Sequence, residues 1–121
     1  MMAPGFAEHF AREWVAAWNA HSLERILSHY EDDFEMSSPV IVKMAGVASG
    51  TLRGKPAVRA YWEQALAAAP NLRFELLGAL AGVNSVTVYY KGHRGVAAEV
   101  FHFGESGKVF KAFAHYAEWQ A

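Results

Sequence analysis

The residue with the clearest capacity for chemistry is Glu99, the single carboxylate in the run VAAEVFHF at positions 96–103. The rest of this run has the apolar and aromatic composition of a buried strand. Ionising a carboxyl group among apolar neighbours is costly, so such a group needs a partner or has a raised pKa. A carboxylic acid held near neutrality is suited to proton transfer and to hydrogen-bond donation. The sequence therefore predicts an aromatic pocket with one tunable acid.

Aromatic side chains are the second group of candidates, since they make up 14% of the 121 residues. Large apolar faces with occasional polar tips are suited to the wall of a pocket for a planar or hydrophobic ligand. The candidates for such a wall are Trp14, Trp18, Tyr30, Trp62 and Phe101. Tyr116 is predicted to share a sheet face with Glu99, and a phenol beside this acid would stabilise an enolate-like oxygen. The alternative is that these side chains only fill the core.

Histidine and cysteine give no indication of a metal site or a cofactor. The sequence has no cysteine, and its six histidines form no HxH or HxxxH pair. His102 and His115 are predicted to face outward by strand alternation. A register shift of one residue would turn His115 inward and make it a candidate base.

Composition restricts the class of protein. A length of 121 residues predicts one domain, residues 1–121, and the 53% hydrophobic content predicts an ordered core. A formal net charge of −1 without a basic patch argues against nucleic acid as a partner. No leader peptide or membrane-spanning run is recognised, which together with the lack of cysteine predicts a soluble, cytoplasmic protein.

Apolar periodicity predicts the elements that position these candidates. The first helix carries Phe6, Phe10, Trp14 and Trp18 on one stripe. A short second helix follows Ser22 and carries Tyr30 inward. A third begins at Lys55-Pro56 and ends before Pro70. A first strand covers residues 34–38, and residues 40–53 are predicted to be an irregular flap. Four further strands are predicted at residues 73–81, 85–91, 96–103 and 108–116.

Pairing the last two strands through the turn at residues 104–107 predicts Phe101 opposite Phe110 and Glu99 opposite Ala112. Both faces of this pair are then largely apolar. The predicted inner face comprises Glu99, Phe101, Phe103, Phe110, Ala112, Ala114 and Tyr116. The predicted outer face comprises Val100, His102, Val109, Lys111, Phe113 and His115. Because helices can cover only one face, we expect a second copy of the chain to cover the other, as a homodimer.

Three stretches together resemble the nuclear transport factor 2-like superfamily, in its SnoaL-like and ketosteroid-isomerase-like branch. They are WVAAWNAHSLERILSHYEDDF (14–34), GTLRGKPAVRAYW (50–62) and GKVFKAFAHY (107–116), with Ser38-Pro39 between the first two. The resemblance implies an α+β cone, in which a curved, mostly antiparallel sheet is wrapped by three helices around an apolar cavity. It also implies dimerisation through the outer sheet face.

The resemblance bears on three positions. Ketosteroid isomerases have a tyrosine where this chain has Trp14, an aspartate base before a proline where it has Ser38, and a protonated aspartate at the place of Glu99. A serine hydroxyl cannot abstract a carbon-bound proton unaided, and an indole N–H cannot pass on a proton. Steroid isomerisation is therefore not inherited with the fold.

Two functions remain open from the sequence. The first is an isomerase-, cyclase- or dehydratase-like enzyme for a small hydrophobic or polycyclic substrate, with Glu99 and Tyr116 in the chemistry and Ser38 among the binding residues. The second is a non-catalytic ligand-binding or dimeric interaction module of the same fold.

Overall fold

A computed structural model of the protein describes residues 2–117. Over this range the chain forms four helices and six strands. In chain order these are α1 (Phe6–Asn19), α2 (Leu23–Leu27), β1 (Tyr30–Ser37), α3 (Pro39–Ala45), β2 (Thr51–Arg53), α4 (Lys55–Ala68), β3 (Glu75–Gly82), β4 (Ser85–Gly92), β5 (Gly95–Phe103) and β6 (Val109–Tyr116).

The six strands form one curled, open sheet in the order β2-β1-β6-β5-β4-β3. Four of its five pairings are antiparallel, and the pairing of β1 with β6 is parallel. The predicted α+β class with a mostly antiparallel sheet is therefore confirmed. The parallel pairing joins the early strand to the last one, so that the helical half of the chain folds back over the meander β3–β6.

The core lies between the helices and the inner face of this sheet. The inner stripe of α1 supplies Phe10 and Trp14, which pack edge-on against Phe101 of β5 at ring-centroid distances of 4.8 and 5.3 Å. All three side chains are buried. The spacing of three and four residues along α1 thus creates one continuous aromatic surface against the strand that carries Glu99.

The expectation of three helices was wrong, because residues 40–53 are not an irregular flap. They contain the short helix α3 and the strand β2. Ser38 caps α3, since its Oγ accepts a hydrogen bond of 3.1 Å from the backbone N–H of Val40, and Pro39 occupies the first helical position. Gly46 ends the helix with a φ of 68°. Seven residues show too little apolar periodicity to predict a helix, although the Ser-Pro start and the glycine end are both helix signals.

The start of the first strand was also predicted wrongly. Tyr30 is the first residue of β1 rather than the inward end of α2, which stops at Leu27 with Ser28 as its C-cap. Tyr30 still faces the core and has no exposed surface.

The predicted register of β5 and β6 was displaced by two residues. Phe101 pairs with Ala112 and Glu99 with Ala114, and the register shifts between His102 and Phe103. A displacement of two leaves inward and outward faces unchanged beyond this bulge, so Glu99 and Tyr116 still share a face.

Between the turn and the bulge the register is displaced by one residue, with Phe103 opposite Val109, and this reverses the predicted faces. Val109 is fully buried, whereas Phe110 is 39% exposed. His115 remains exposed on β6, so the shift of one residue that would have turned it inward does not occur.

Candidate functional site

A pocket of about 270 Å³ lies between α1, α3, α4 and the inner face of β4, β5 and β6. It brings together six of the eight side chains predicted to form a site. These are Trp14, Trp18, Ser38, Trp62, Glu99 and Tyr116. Residues that are remote in sequence thus meet on one surface, because the helices cross the same face of the sheet.

Tyr30 and Phe101, the other two predicted binding residues, lie behind the pocket rather than in its lining. The indole Nε1 of Trp14 donates a hydrogen bond of 3.0 Å to the Tyr30 hydroxyl, and the Phe101 ring packs against the same indole. Both point inward as predicted, but α1 fills the space in front of them. Their role in this structure is to hold Trp14 in place.

Glu99 lies in the pocket lining on β5 and is only 4% exposed. Burial raises the pKa of its carboxyl group to about 8, while a hydrogen bond from Tyr90 lowers it. That bond is long, with 3.5 Å between the donating Tyr90 hydroxyl and Glu99 Oε1. Because desolvation dominates, the neutral acid predominates at pH 7, and it can donate a hydrogen bond as well as accept one.

The sheet register explains why Glu99 has room beside it. Val88 and Ala114 flank Glu99 on the neighbouring strands, and in the adjacent row Ala97 lies between Tyr90 and Tyr116. Alternation along a strand puts all of these side chains on one face. The two alanines leave space that larger side chains would fill, so the acid and the two phenols border open volume.

Three phenols surround this space, and burial is the main reason why the pKa of each is raised. The charge on Glu99 further raises the pKa of Tyr90, Tyr116 and Tyr61. The three phenols are therefore neutral hydrogen-bonding groups throughout the physiological pH range. Tyr90 was missed by the sequence analysis, although its alternation with Val86 and Val88 on β4 places it on the inner face.

Ser38 is buried and its hydroxyl is engaged on several sides. Its Oγ accepts the capping hydrogen bond from Val40, and hydrogen bonding from the same hydroxyl opposes the rise in the pKa of Tyr61 and of Tyr116. Its backbone N–H donates to the carbonyl of Gly50 at 2.9 Å. Ser38 thus fixes the start of α3 and the two phenols relative to each other.

The apolar part of the pocket is an aromatic cluster. The Trp18 ring lies edge-on to Trp62 at 5.2 Å and 5.5 Å from Phe74. The Trp18 Nε1 is buried and has no hydrogen-bond partner within residues 2–117. Such rings offer a broad surface for a flat, apolar ligand.

The rim of the pocket is the turn between β4 and β5. Gly92, His93, Arg94 and Gly95 all belong to the lining, and the side chains of His93 and Arg94 are exposed. The charge of Arg94 lowers the pKa of Tyr61 and of Tyr116, so its field extends into the pocket. This rim was not predicted from the sequence, because a His-Arg pair in a glycine-flanked turn usually indicates only a solvated loop.

Over residues 2–117 no group of three or more His, Asp or Glu side chains is arranged to hold a metal ion. Over the same range, no helix has the length and apolar character that crossing a membrane requires.

Residues 11–116 match the model of the SnoaL-like domain family, and the chain belongs to this family. A SnoaL-like protein of unknown function from Burkholderia thailandensis E264 is 57% identical, and the match covers 96% of this chain and 98% of that one with a TM-score of 0.92. No curated protein was found to be similar to the chain.

More distant solved structures share the fold. AclR, a proposed hydroxylase from Streptomyces galilaeus, is 20% identical over 93% of this chain and 79% of its own, with a TM-score of 0.72. A proposed ketosteroid isomerase from Kribbella flavida is 15% identical over 95% and 80% of the two chains, also with a TM-score of 0.72. The family match confirms the SnoaL-like resemblance seen in the sequence, whereas these two likenesses concern the fold alone.

Proposed function

We propose that the pocket is a ligand cavity and that the protein is an isomerase-like enzyme for a small hydrophobic carbonyl compound. The observation that carries this proposal is the buried Glu99 in the pocket lining, next to Tyr90 and Tyr116. A volume of about 270 Å³ is at the lower edge of the roughly 300–1,000 Å³ typical of ligand pockets. The substrate is accordingly one of two or three rings at most.

In this proposal Glu99 acts on the oxygen of the substrate. Its proton is donated to the carbonyl oxygen as a carbon-bound proton leaves to a water molecule beside the same end of the substrate, which yields the enol, the Glu99 carboxylate and a protonated water. Tyr116 donates a second hydrogen bond to the same oxygen. The return of a proton to a different carbon, with the enol proton passing back to Glu99, completes an isomerisation. General acid catalysis of this kind contributes roughly 10²–10⁴-fold to a rate.

The second candidate function is ligand binding without a reaction. It is favoured by Ser38, which by the family resemblance stands where ketosteroid isomerases have a carboxylate base, and whose hydroxyl already accepts the capping hydrogen bond from Val40. Among the described lining residues no second carboxylate is present to accept a carbon-bound proton.

A proton-exchange experiment separates the two candidates. The bicyclic ketone 2-tetralone in D₂O exchanges its α-hydrogens for deuterium when an enol forms, which proton NMR measures directly. We expect the wild-type protein to accelerate exchange, Glu99→Gln to lose roughly 100-fold of that acceleration, and Glu105→Gln to keep it. The rate should fall as the pH rises through about 8, where Glu99 loses its proton. Binding of 2-tetralone with no acceleration at any pH would favour the binding module.

We also propose that the protein is a homodimer through the outer face of the sheet, in a reducing, cytoplasmic setting. The outward side chains of β5 and β6 include Val100 and Phe113, which are half-buried, next to His102. The His102 ring lies edge-on to Phe113 at 5.8 Å, so the two form one aromatic patch. A face of this kind is suited to a two-fold contact with itself.

A further inference from the structure

The pocket has an uneven distribution of charge that the proposed function does not explain. Among the described lining residues, the guanidinium of Arg94 is the single permanent charge, and it lies at the rim. The only carboxyl group in the same lining is Glu99, which is buried and predominantly neutral at pH 7. Hydrogen-bond donors without charge therefore occupy the interior, and positive charge is confined to the entrance.

This distribution constrains where a ligand can carry charge. An anionic group placed deep in the pocket would meet Glu99 and the phenols without a cation to pair with, at a high cost in desolvation. The same group at the rim would pair with Arg94, whose planar guanidinium matches a carboxylate in a two-pronged hydrogen bond. His93 beside it adds a further ring nitrogen that can donate or accept a hydrogen bond.

We propose that the natural ligand is a small carboxylic acid with a ring body, whose carboxylate is held at the rim by Arg94 and His93 and whose far end presents an oxygen to Glu99. This inference rests on the proposed function, because it assumes that the same pocket is the ligand site. The strand β5 rises about 13 Å from Gly95 at the rim to Glu99. A fused two-ring skeleton with substituents at both ends, together with the length of the Arg94 side chain, covers that distance.

Arg94 also has a contact with the protein itself. The proposal does not require this side chain to be without partners, since a guanidinium has five N–H donors and can hold a carboxylate while it retains another contact. Arg94 belongs to the same lining as Tyr61 and Tyr116, and its charge lowers the pKa of both phenols.

Three matched naphthalenes test the two ends of the pocket separately. 6-Hydroxy-2-naphthoate has both groups, 2-naphthol lacks the carboxylate, and 2-naphthoate lacks the hydroxyl. Isothermal titration calorimetry at pH 7 and low salt should give the tightest binding for 6-hydroxy-2-naphthoate. Arg94→Gln should weaken the binding of the two carboxylates by roughly three- to tenfold and leave the affinity for 2-naphthol unchanged. Glu99→Gln should instead weaken the binding of the two compounds that carry a hydroxyl group.

Two control variants make the outcome specific. Lys108→Gln removes the same charge in the turn at the other end of β5 and should leave all three affinities unchanged. Arg94→Lys keeps the charge without the two-pronged geometry and should restore part of the carboxylate affinity. The carboxylate contribution should also shrink when salt is added, because the rim is exposed to solvent.

The possible failures are distinguishable. If 2-naphthol binds and depends on Glu99 while the carboxylate adds no affinity, the anionic ligand is refuted and the proposed function stands. If Arg94→Gln weakens 2-naphthol as much as the carboxylates, Arg94 only maintains the shape of the rim, and the inference fails. If none of the three binds, both the inference and the ligand pocket are refuted.

Discussion

Replacing Glu99 by glutamine should stabilise the fold at neutral and alkaline pH. Burial raises the pKa of Glu99 from 4.5 to about 8, so between these values the folded protein holds a proton that the unfolded chain has released. The unfolded state binds fewer protons, and stability must therefore fall as the pH rises from 4.5 towards 8.

The magnitude follows from the size of the shift. A change of one pKa unit corresponds to about 1.4 kcal/mol, so the shift at Glu99 costs about 5 kcal/mol in full and about 3 kcal/mol of it by pH 7. Folded domains are stable by only roughly 5–15 kcal/mol. One buried acid thus removes a substantial part of the stability of this protein, which is the cost expected of a functional group rather than of a packing residue.

Urea unfolding between pH 4.5 and 9 measures this effect directly. The wild-type free energy of unfolding should decline across that range, whereas Glu99→Gln should lack this decline, equal the wild type near pH 4.5 and exceed it by about 3 kcal/mol at pH 7. Tyr90 can donate to the amide oxygen of glutamine as it does to the carboxyl group, so the variant retains the hydrogen bond. Glu105→Gln, which removes an exposed carboxylate, is the matched control and should follow the wild type. Parallel stability curves for the wild type and Glu99→Gln would show that the carboxyl group is ionised or solvated in the folded protein, and would refute the reasoning.

Three further predictions concern other groups. Tyr90→Phe removes the hydrogen bond that lowers the pKa of Glu99, so the alkaline limit of 2-tetralone exchange should move to higher pH; an unchanged limit would mean that the bond at 3.5 Å contributes nothing. Burial lowers the pKa of His29 from 6.5, so stability should be lost as the pH falls below that value, and His29→Gln should reduce this loss in thermal melts at pH 5 to 7; equal acid sensitivity would contradict it. Phe113→Asp places a charge in the outer patch and should convert a dimer to a monomer in light scattering, and an unchanged mass would refute the interface.

The face of Glu99 could be predicted from the sequence because alternation along a strand depends only on the backbone. Its partner across the strand pair could not, since the turn shifts the register by one residue, which places Phe103 opposite Val109, and the bulge at His102 and Phe103 shifts it by one more. Neither shift leaves a mark in the apolar pattern. At Glu99 the observed register differs from the predicted one by two residues, and a shift by an even number keeps each side chain on its face. Glu99 and Tyr116 were therefore still predicted on the same face. Only the residues next to the turn, Val109 and Phe110, were assigned to the wrong faces.

Whether a side chain lines the pocket or lies behind it was harder to predict than whether it faces inward. Phe101 faces inward as alternation requires, but whether an inward side chain borders the pocket depends on what α1 places in front of it. Trp14 fills that position and is itself held by Tyr30. The size of the side chains on the helix packed against the strand decides where the core ends and the pocket begins. This size cannot be inferred from the pattern of residues along the strand.

The order of groups from the rim to the interior also bears on how a reaction in this pocket could begin. A reaction that starts by removing a carbon-bound proton needs an ionised base next to the substrate, and the described lining residues include no carboxyl group besides Glu99. A reaction that starts at an oxygen needs a neutral acid in a site with little water, and burial keeps Glu99 in this form up to a pH of about 8. The cost in stability and the chemistry therefore have the same origin, because the desolvation that destabilises the fold at pH 7 also keeps the proton on Glu99.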